Sequence, residues 1–273
     1  MNKILNSYWN VKTPSSYVDV VKDAVSETTK FEKFRQEKQY AGIVENLLEE
    51  DGWDIYHSLP GDIIELLKLT EDADSVGSPL TFNYSGLELS PTTLRYAKVL
   101  EELSGLFNNF NGINSIVEIG VGYGGQARLI SQYMDRLGKK LENYTLIDLP
   151  EVLNLARLYL EHFSLKNSIQ YKSKSELSQY KKKQYDLLIS NYAFSEFNRP
   201  LQEEYLEKVI LNSKAGYLIM NNGKTENGRH ICGEFGNKDC ILDIELLEII
   251  SGSKIIENNL LSSKGIYLIV FGT

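Results

Sequence analysis

The chain has 273 residues, a formal net charge of −8, 42% hydrophobic residues and 24% charged residues. That content suffices for a sizeable core and fits one globular domain with an appendage, or two small domains. The acidic balance excludes a general nucleic-acid binder, since no basic excess exists to neutralise phosphates, and no apolar run nears the roughly 18 residues of a membrane span.

The first residues, MNKILNSYWNVKTPSS, lack the apolar core and small-residue cleavage site of a secretion signal, so a cytoplasmic protein is expected. The chain then reads mostly helical up to about Asn111. Apolar residues recur at helical spacing: Val18, Val21, Val25, Phe31, Phe34, Ile43, Leu47 and Leu48. GDIIELLKLTEDAD is a further amphipathic helix. SPTTLRYAKVLEELSGLF starts a helix with Ser90 as N-cap and Pro91 at the first helical position.

From Ile116 the period changes. The strand-like runs SIVEIG, YTLIDL, SIQYKS, YDLLISNY and AGYLIMN alternate with helix-length segments, and KIIENN with GIYLIVFG reads as an antiparallel hairpin. The expected fold class is therefore α/β: a doubly wound, Rossmann-like parallel sheet covered on both faces, with a terminal antiparallel strand and a helical N-terminal region. We divide it into residues 1–87, a helical cap or lid, and residues 88–273, the α/β domain. Cys232 and Cys240 have no second pair and no zinc-spaced histidine, so reduced thiols are expected and a structural zinc is not.

VEIGVGYGG joins the first sheet strand to a helix. Gly120, Gly122 and Gly125 satisfy G-x-G-x-x-G, a spelling that a nicotinamide dehydrogenase shares. Asp148 ends the second sheet strand, 28 residues after Gly120, where a carboxylate can accept both hydroxyls of a ribose. Glu118 sits two residues before Gly120. A pyrophosphate loop gains nothing from an extra anion there, whereas the amino-acid part of S-adenosylmethionine (SAM) does.

Together, VEIGVGYGG, TLIDLPEVLNLA and YDLLISNYAFSEF resemble a bacterial family assigned as sugar O-methyltransferases, a branch of the class I SAM-dependent methyltransferases. IDLPEV also looks like the DLP-x-V segment of small-molecule O-methyltransferases. The resemblance covers about residues 88–225. It implies that Glu118, Gly120, Gly122, Tyr123 and Gly124 line the methionine side of SAM, or of its product S-adenosylhomocysteine (SAH). It implies that Asp148 and Leu149 hold ribose and adenine, that Ser173 and Lys174 flank adenine, and that Ser190, Asn191 and Tyr192 lie under the cofactor. The implied activity is methyl transfer to a sugar or glycan precursor in surface-polysaccharide or capsule-type synthesis, with no nucleic acid and no membrane span.

Removing the hydroxyl proton of an acceptor calls for a general base. Plant-type relatives place a histidine just after the fourth strand, but NYAFSEF has Ser195 and Glu196 there. The catalytic candidates are Glu196 and His230, the latter in the long polar loop NNGKTENGRHICGEFGNKDC; His57 and His162 fit less well. Arg95 and Tyr96 can reach the cofactor carboxylate, or pair at the surface. Asn221 and Asn222 can bind acceptor hydroxyls, or simply turn the chain. Tyr8, Trp9 and Tyr17 can close as a lid, or anchor packing. Glu196 and Glu234 do not amount to a metal constellation. Three alternatives stay open: methyl transfer to an already anionic, phosphorus-linked oxygen such as a phosphoramidate, a nicotinamide-dependent oxidoreductase, and a cofactor-binding module without catalysis.

Overall fold

The computed structural model describes residues 15–179, 185–221, 240–256 and 266–273. The described chain opens with helices α1 (Ser15–Ser26), α2 (Thr28–Phe31), α3 (Lys38–Val44), α4 (Glu49–Ser58) and α5 (Gly61–Leu69). A hairpin follows, β1 (Phe82–Tyr84) with β2 (Leu87–Leu89), which the helical reading of this region missed. Its turn residues Ser85 and Gly86 have φ of 53° and 96°, the positive values of a primed turn, which reverses two strands tightly. Helix α6 (Pro91–Leu106) starts as expected: the Ser90 hydroxyl accepts the Thr93 N–H at 3.1 Å, with Pro91 in the first turn.

The remaining elements are β3 (Ser115–Ile119), α7 (Gly125–Arg136), β4 (Asn143–Asp148), α8 (Pro150–Leu160), β5 (Ser168–Ser173), β6 (Tyr185–Asn191), α9 (Ala193–Glu196), α10 (Arg199–Lys208), β7 (Ser213–Met220), α11 (Asp243–Ile249), β8 (Lys254–Ile256) and β9 (Tyr267–Phe271). The sheet order is β5-β4-β3-β6-β7-β9-β8. Strands β3 to β7 run parallel, and β9 is antiparallel to both of its neighbours. This is the α/β plan with antiparallel terminal strands that the sequence implies. The order reverses between β3 and β6, and ligands of open α/β sheets bind outside the carboxyl ends at such a switch point.

Pleating divides the sheet into two faces. Ile116, Tyr144, Leu146, Leu187, Ile189 and Tyr217 pack under α6, α7 and α8. Val117, Ile119, Ile147, Leu188 and Leu218 pack against α10 and α11. The N-terminal helices belong to the first layer: Val21, Phe34, Tyr40, Ile63 and Leu67 share one apolar cluster with Leu100, Tyr133 and Leu146. At the amino edge of the sheet, Asp186 accepts the N–H groups of Asn114 and Ser115 at 2.9 and 3.0 Å and pairs with Lys214 at 2.8 Å. That edge is closed by its own bonds, and the carboxyl edge carries the glycine turn. Cys240 is disulfide-bonded, which corrects the expectation of a reduced thiol; Cys232 lies outside the described residues. No described helix is long and apolar enough to cross a membrane.

Arg35 is 1% exposed; it pairs with Glu45 at 2.6 Å and Asp74 at 2.8 Å, and links the N-terminal helices to Ser90 and Tyr123. Arg35→Met leaves the buried Asp74 carboxylate without its cation, so a loss of about 3–5 kcal/mol is expected in urea unfolding. The double variant Arg35→Met, Asp74→Asn should recover part of it.

Candidate active site

The turn after β3 is left-handed at three points, with φ of 76° at Gly120, 53° at Gly122 and 90° at Gly124. A Cβ on Gly122 would meet nothing within 4 Å, so backbone conformation and not crowding calls for glycine there. Gly125 is different: a Cβ would come 2.5 Å from the Tyr96 ring, so the missing side chain lets α7 lie close against α6. The turn is pinned to β4, with Gly120 N–H on the Ile147 carbonyl at 3.0 Å and Val121 N–H on Asp148 Oδ2 at 2.8 Å. The other Asp148 oxygen accepts the Leu149 N–H at 2.7 Å. A carboxylate offers about four lone-pair sites, so Asp148 can hold the turn and still accept a hydroxyl donor.

Glu118 and Asp148 are 2% and 3% exposed. Alternation puts Glu118 on the same face as Ile116, and Asp148 on the same face as Tyr144 and Leu146, both under α6 and α7. Burial pushes Glu118 up to about 8, opposed by a hydrogen bond from Tyr144 and reinforced by Asp148. Burial pushes Asp148 up to about 7, opposed by the N–H groups of Leu149, Val121 and Gly122. No cation is among the groups acting on either carboxylate. The site is thus a pair of buried acids, beside an open turn, with neutral partners.

The other sequence candidates gather around this pair to different degrees. Ser173 pairs with Asp148 across β4 and β5, and its N–H and hydroxyl both donate to Glu176 at 2.7 and 3.0 Å. Lys174 is exposed beside it, and Leu149 is half-buried. Asn191 ends β6, and its Oδ1 has no partner among the described residues. Ser190 is wholly buried on the opposite face, its hydroxyl accepting the Phe194 N–H at 3.2 Å. Tyr192 follows with φ of 70° and ψ of −35°, a strained conformation for an aromatic residue. Arg95 lies 6.0 Å from the centre of the Tyr192 ring and 5.8 Å from that of Tyr96, and donates to the Val44 carbonyl at 2.8 Å.

Tyr123 offers a ligand its backbone alone. Its ring is 1% exposed, 4.7 Å from that of Tyr159 and 4.6 Å from the Arg35 guanidinium. Tyr17 is a packing residue, stacked on Tyr40 at 5.5 Å. His162 is exposed against Phe31, and His57 is exposed against Trp53. Glu196 accepts the Asn221 amide at 3.1 Å. His230, Asn222, Glu234, Tyr8 and Trp9 lie outside the described residues. Among the described residues no group of three His, Cys, Asp or Glu is arranged to hold a metal.

Two contributors escaped the sequence reading. Tyr144 donates to Glu118 Oε2 at 2.7 Å, and the two-residue period of β4 put it on the face of Leu146, the partner of Glu118 across the strands. Arg35 supports Tyr123 from a distant segment, for which no local pattern exists.

No protein-family model and no curated protein matches the chain. Among solved structures, it is similar to a Klebsiella pneumoniae protein assigned as an O-methyltransferase, at 13% identity and a TM-score of 0.49 over 84% of this chain and 98% of that one. It is similar to the N-terminal domain of EvdMO1, solved with SAH bound, at 11% identity and 0.45 over 78% and 96%. The methyltransferase domain of a bacterial Hen1 matches at 14% identity and 0.44 over 65% and 96%.

Buried acids have a stability consequence. Both folded-state pKa values lie above the unfolded ones of about 4.3 and 3.9. Protons held by the native site therefore stabilise it fully at low pH, and that contribution is lost as pH rises through about 7 and 8. Glu118→Gln needs no such proton. Above pH 8 the ligand-free variant is expected to be more stable than the parent, by on the order of a few kcal/mol, with the gap closing near about pH 4. Urea unfolding across this range checks the sign; a variant equally or less stable at alkaline pH contradicts it.

Proposed function

We propose that the chain is a SAM-dependent O-methyltransferase whose acceptor is a sugar or a sugar-containing glycan precursor. The observation that carries the cofactor assignment is the pair Glu118 and Asp148, buried beside the glycine turn at the switch point of the sheet with no cation among the described residues acting on either. A pyrophosphate entering here would face two acids. SAM brings an ammonium and a sulfonium instead, and its ribose hydroxyls suit the free lone pairs of Asp148. The sheet adds support: dinucleotide-binding sheets run 3-2-1-4-5-6, whereas counting from β3 this one reads 3-2-1-4-5-7-6, with an antiparallel strand inserted. The sugar acceptor rests on the sequence resemblance.

In this reading Glu118 takes the cofactor ammonium, Arg95 its carboxylate, and Asp148 the ribose. Leu149, Ser173 and Lys174 border the adenine, and Asn191 and Tyr192 form the floor. The acceptor oxygen attacks the methyl carbon in line, the carbon–sulfur electron pair passes to sulfur, and the hydroxyl proton leaves to Glu196 or His230. The protein's task is to hold oxygen and carbon roughly 3 Å apart along that axis.

Calorimetry is expected to find binding of SAH and none of NAD. Asp148→Ala should weaken SAH roughly ten- to a hundredfold, the worth of lost charge-assisted hydrogen bonds. NAD binding in place of SAH would overturn the assignment. With SAM and candidate glycans, mass spectrometry should detect methylated product. A general base is worth about 10²–10⁴ in rate, so either Glu196→Gln or His230→Ala should lose that much in single turnover while still binding SAH.

A further inference from the structure

Among the described residues, one side chain holds Glu118. The Tyr144 phenol, on the neighbouring strand β4 and itself wholly buried, donates to Glu118 Oε2 at 2.7 Å. Its ring stands on the pleat face of Leu146, and Leu146 pairs with Glu118 across the strands, so the bond runs diagonally between β3 and β4. We propose that Tyr144 is a positioning residue: its hydrogen bond aims the Glu118 carboxylate at the cofactor ammonium and favours the ionised form that the ammonium needs. This rests on the SAM reading above and deepens it.

The reasoning is electrostatic. A buried carboxylate can shed its charge by taking a proton, or keep it where donors and cations compensate. The groups facing Glu118 are few. From β4 come Tyr144, which donates, and Asp148, which repels. From α6 comes the Tyr96 phenol, with Arg95 next to it. On the other side, on the same face, β6 brings the apolar Ile189 and the neutral Asn191. The balance leaves Glu118 near 8 in the empty site, so at neutral pH it holds a proton that an arriving ammonium must displace. Cofactor binding then releases a proton, and affinity rises with pH until Glu118 ionises on its own. A phenol donating to the carboxylate lowers the pH at which this happens. Without Tyr144 the carboxylate is also free to rotate away from the ligand.

The test is calorimetry of SAH binding from pH 6 to 9 in two buffers of different ionisation enthalpy, on the full chain, with Tyr144→Phe and Glu118→Gln compared with the parent. The parent should bind more tightly as pH rises and release protons. Tyr144→Phe should bind roughly tenfold more weakly at neutral pH and move the rise by up to about one unit to the alkaline side. Glu118→Gln should lose the proton release, leaving the ligand's own titration as the baseline. Circular dichroism of each variant confirms that the fold is kept, and Tyr144→His, which restores a donor, should recover part of the affinity. An unmoved pH profile in Tyr144→Phe overturns the proposal, whether or not affinity falls, since a merely structural role weakens binding at all pH values alike. A parent that binds SAH with no proton release overturns it and leaves the SAM reading standing. A parent that binds no SAH at any pH sinks the SAM reading itself.

Discussion

A guanidinium buried between three segments governs the glycine-turn side of this molecule. Arg35 Nη1 pairs with Asp74, Nε with Glu45, and Nη2 donates to the Ser90 hydroxyl at 2.9 Å. Asp74 in turn accepts the Ser90 N–H at 2.7 Å and the Thr93 hydroxyl at 2.8 Å. Ser90 caps α6, so the ion cluster fixes where that helix starts. The face of the guanidinium covers Tyr123, whose own backbone is part of the glycine turn. One charge thus ties the N-terminal helices to α6 and to the turn. Such a cluster adds little net stability over well-packed apolar side chains, but it tolerates few alternative arrangements. The turn can therefore keep its left-handed conformations without a ligand to hold them.

The opposite holds a few residues away. Glu118 and Asp148 are about as buried as Arg35, yet no cation among the described residues acts on either. Packing that would stabilise the empty protein, such as an amide in place of Glu118, would remove the charge a cationic ligand seeks. Strain at Tyr192 belongs to the same pattern. Its positive φ is held from outside, by its N–H on the Ile219 carbonyl at 2.9 Å and by its carbonyl accepting the Ser195 hydroxyl at 2.6 Å. Buried unpaired acids and a strained aromatic residue on one edge of the sheet are what a site built for a ligand looks like, because nothing in folding alone favours them.

Much of this was legible in the sequence because it is local. The period of the apolar runs separated strands from helices, and Ser90 with Pro91 marked the start of α6. Glu118, the glycines and Asp148 fall at strand ends, where a parallel sheet has to place its ligand. The β1–β2 hairpin was missed because its strands have three residues each, too short to show a period, although Ser85-Gly86 carried a turn signal. Ser190 illustrates a different limit. It ends the same strand as Asn191, but the pleat turns it to the face of α10 while Asn191 stays on the face of Glu118. Counting residues to a strand end finds the neighbourhood, and only the alternation finds the face. Arg35 was illegible because its partners lie 10, 39 and 55 residues away, at distances no local pattern spans.

The segment after β6 is organised around one serine. Ser195 is wholly buried. Its hydroxyl donates to the Tyr192 carbonyl, is shared with the Asn221 side-chain oxygen, and accepts the Asn221 N–H at 3.2 Å. A small hydroxyl that both gives and receives fits this place between the ends of β6 and β7. Ser195 thereby holds the strained turn at Tyr192, and Asn221, fixed by Ser195, passes its amide on to Glu196 at 3.1 Å. Tyr192, Ser195, Glu196 and Asn221 form one hydrogen-bonded unit, in which the position of Glu196 follows from the position of the turn. Ser195 is thus committed to shaping this turn. The bonds that hold the turn at Tyr192 thereby also orient the Glu196 carboxylate.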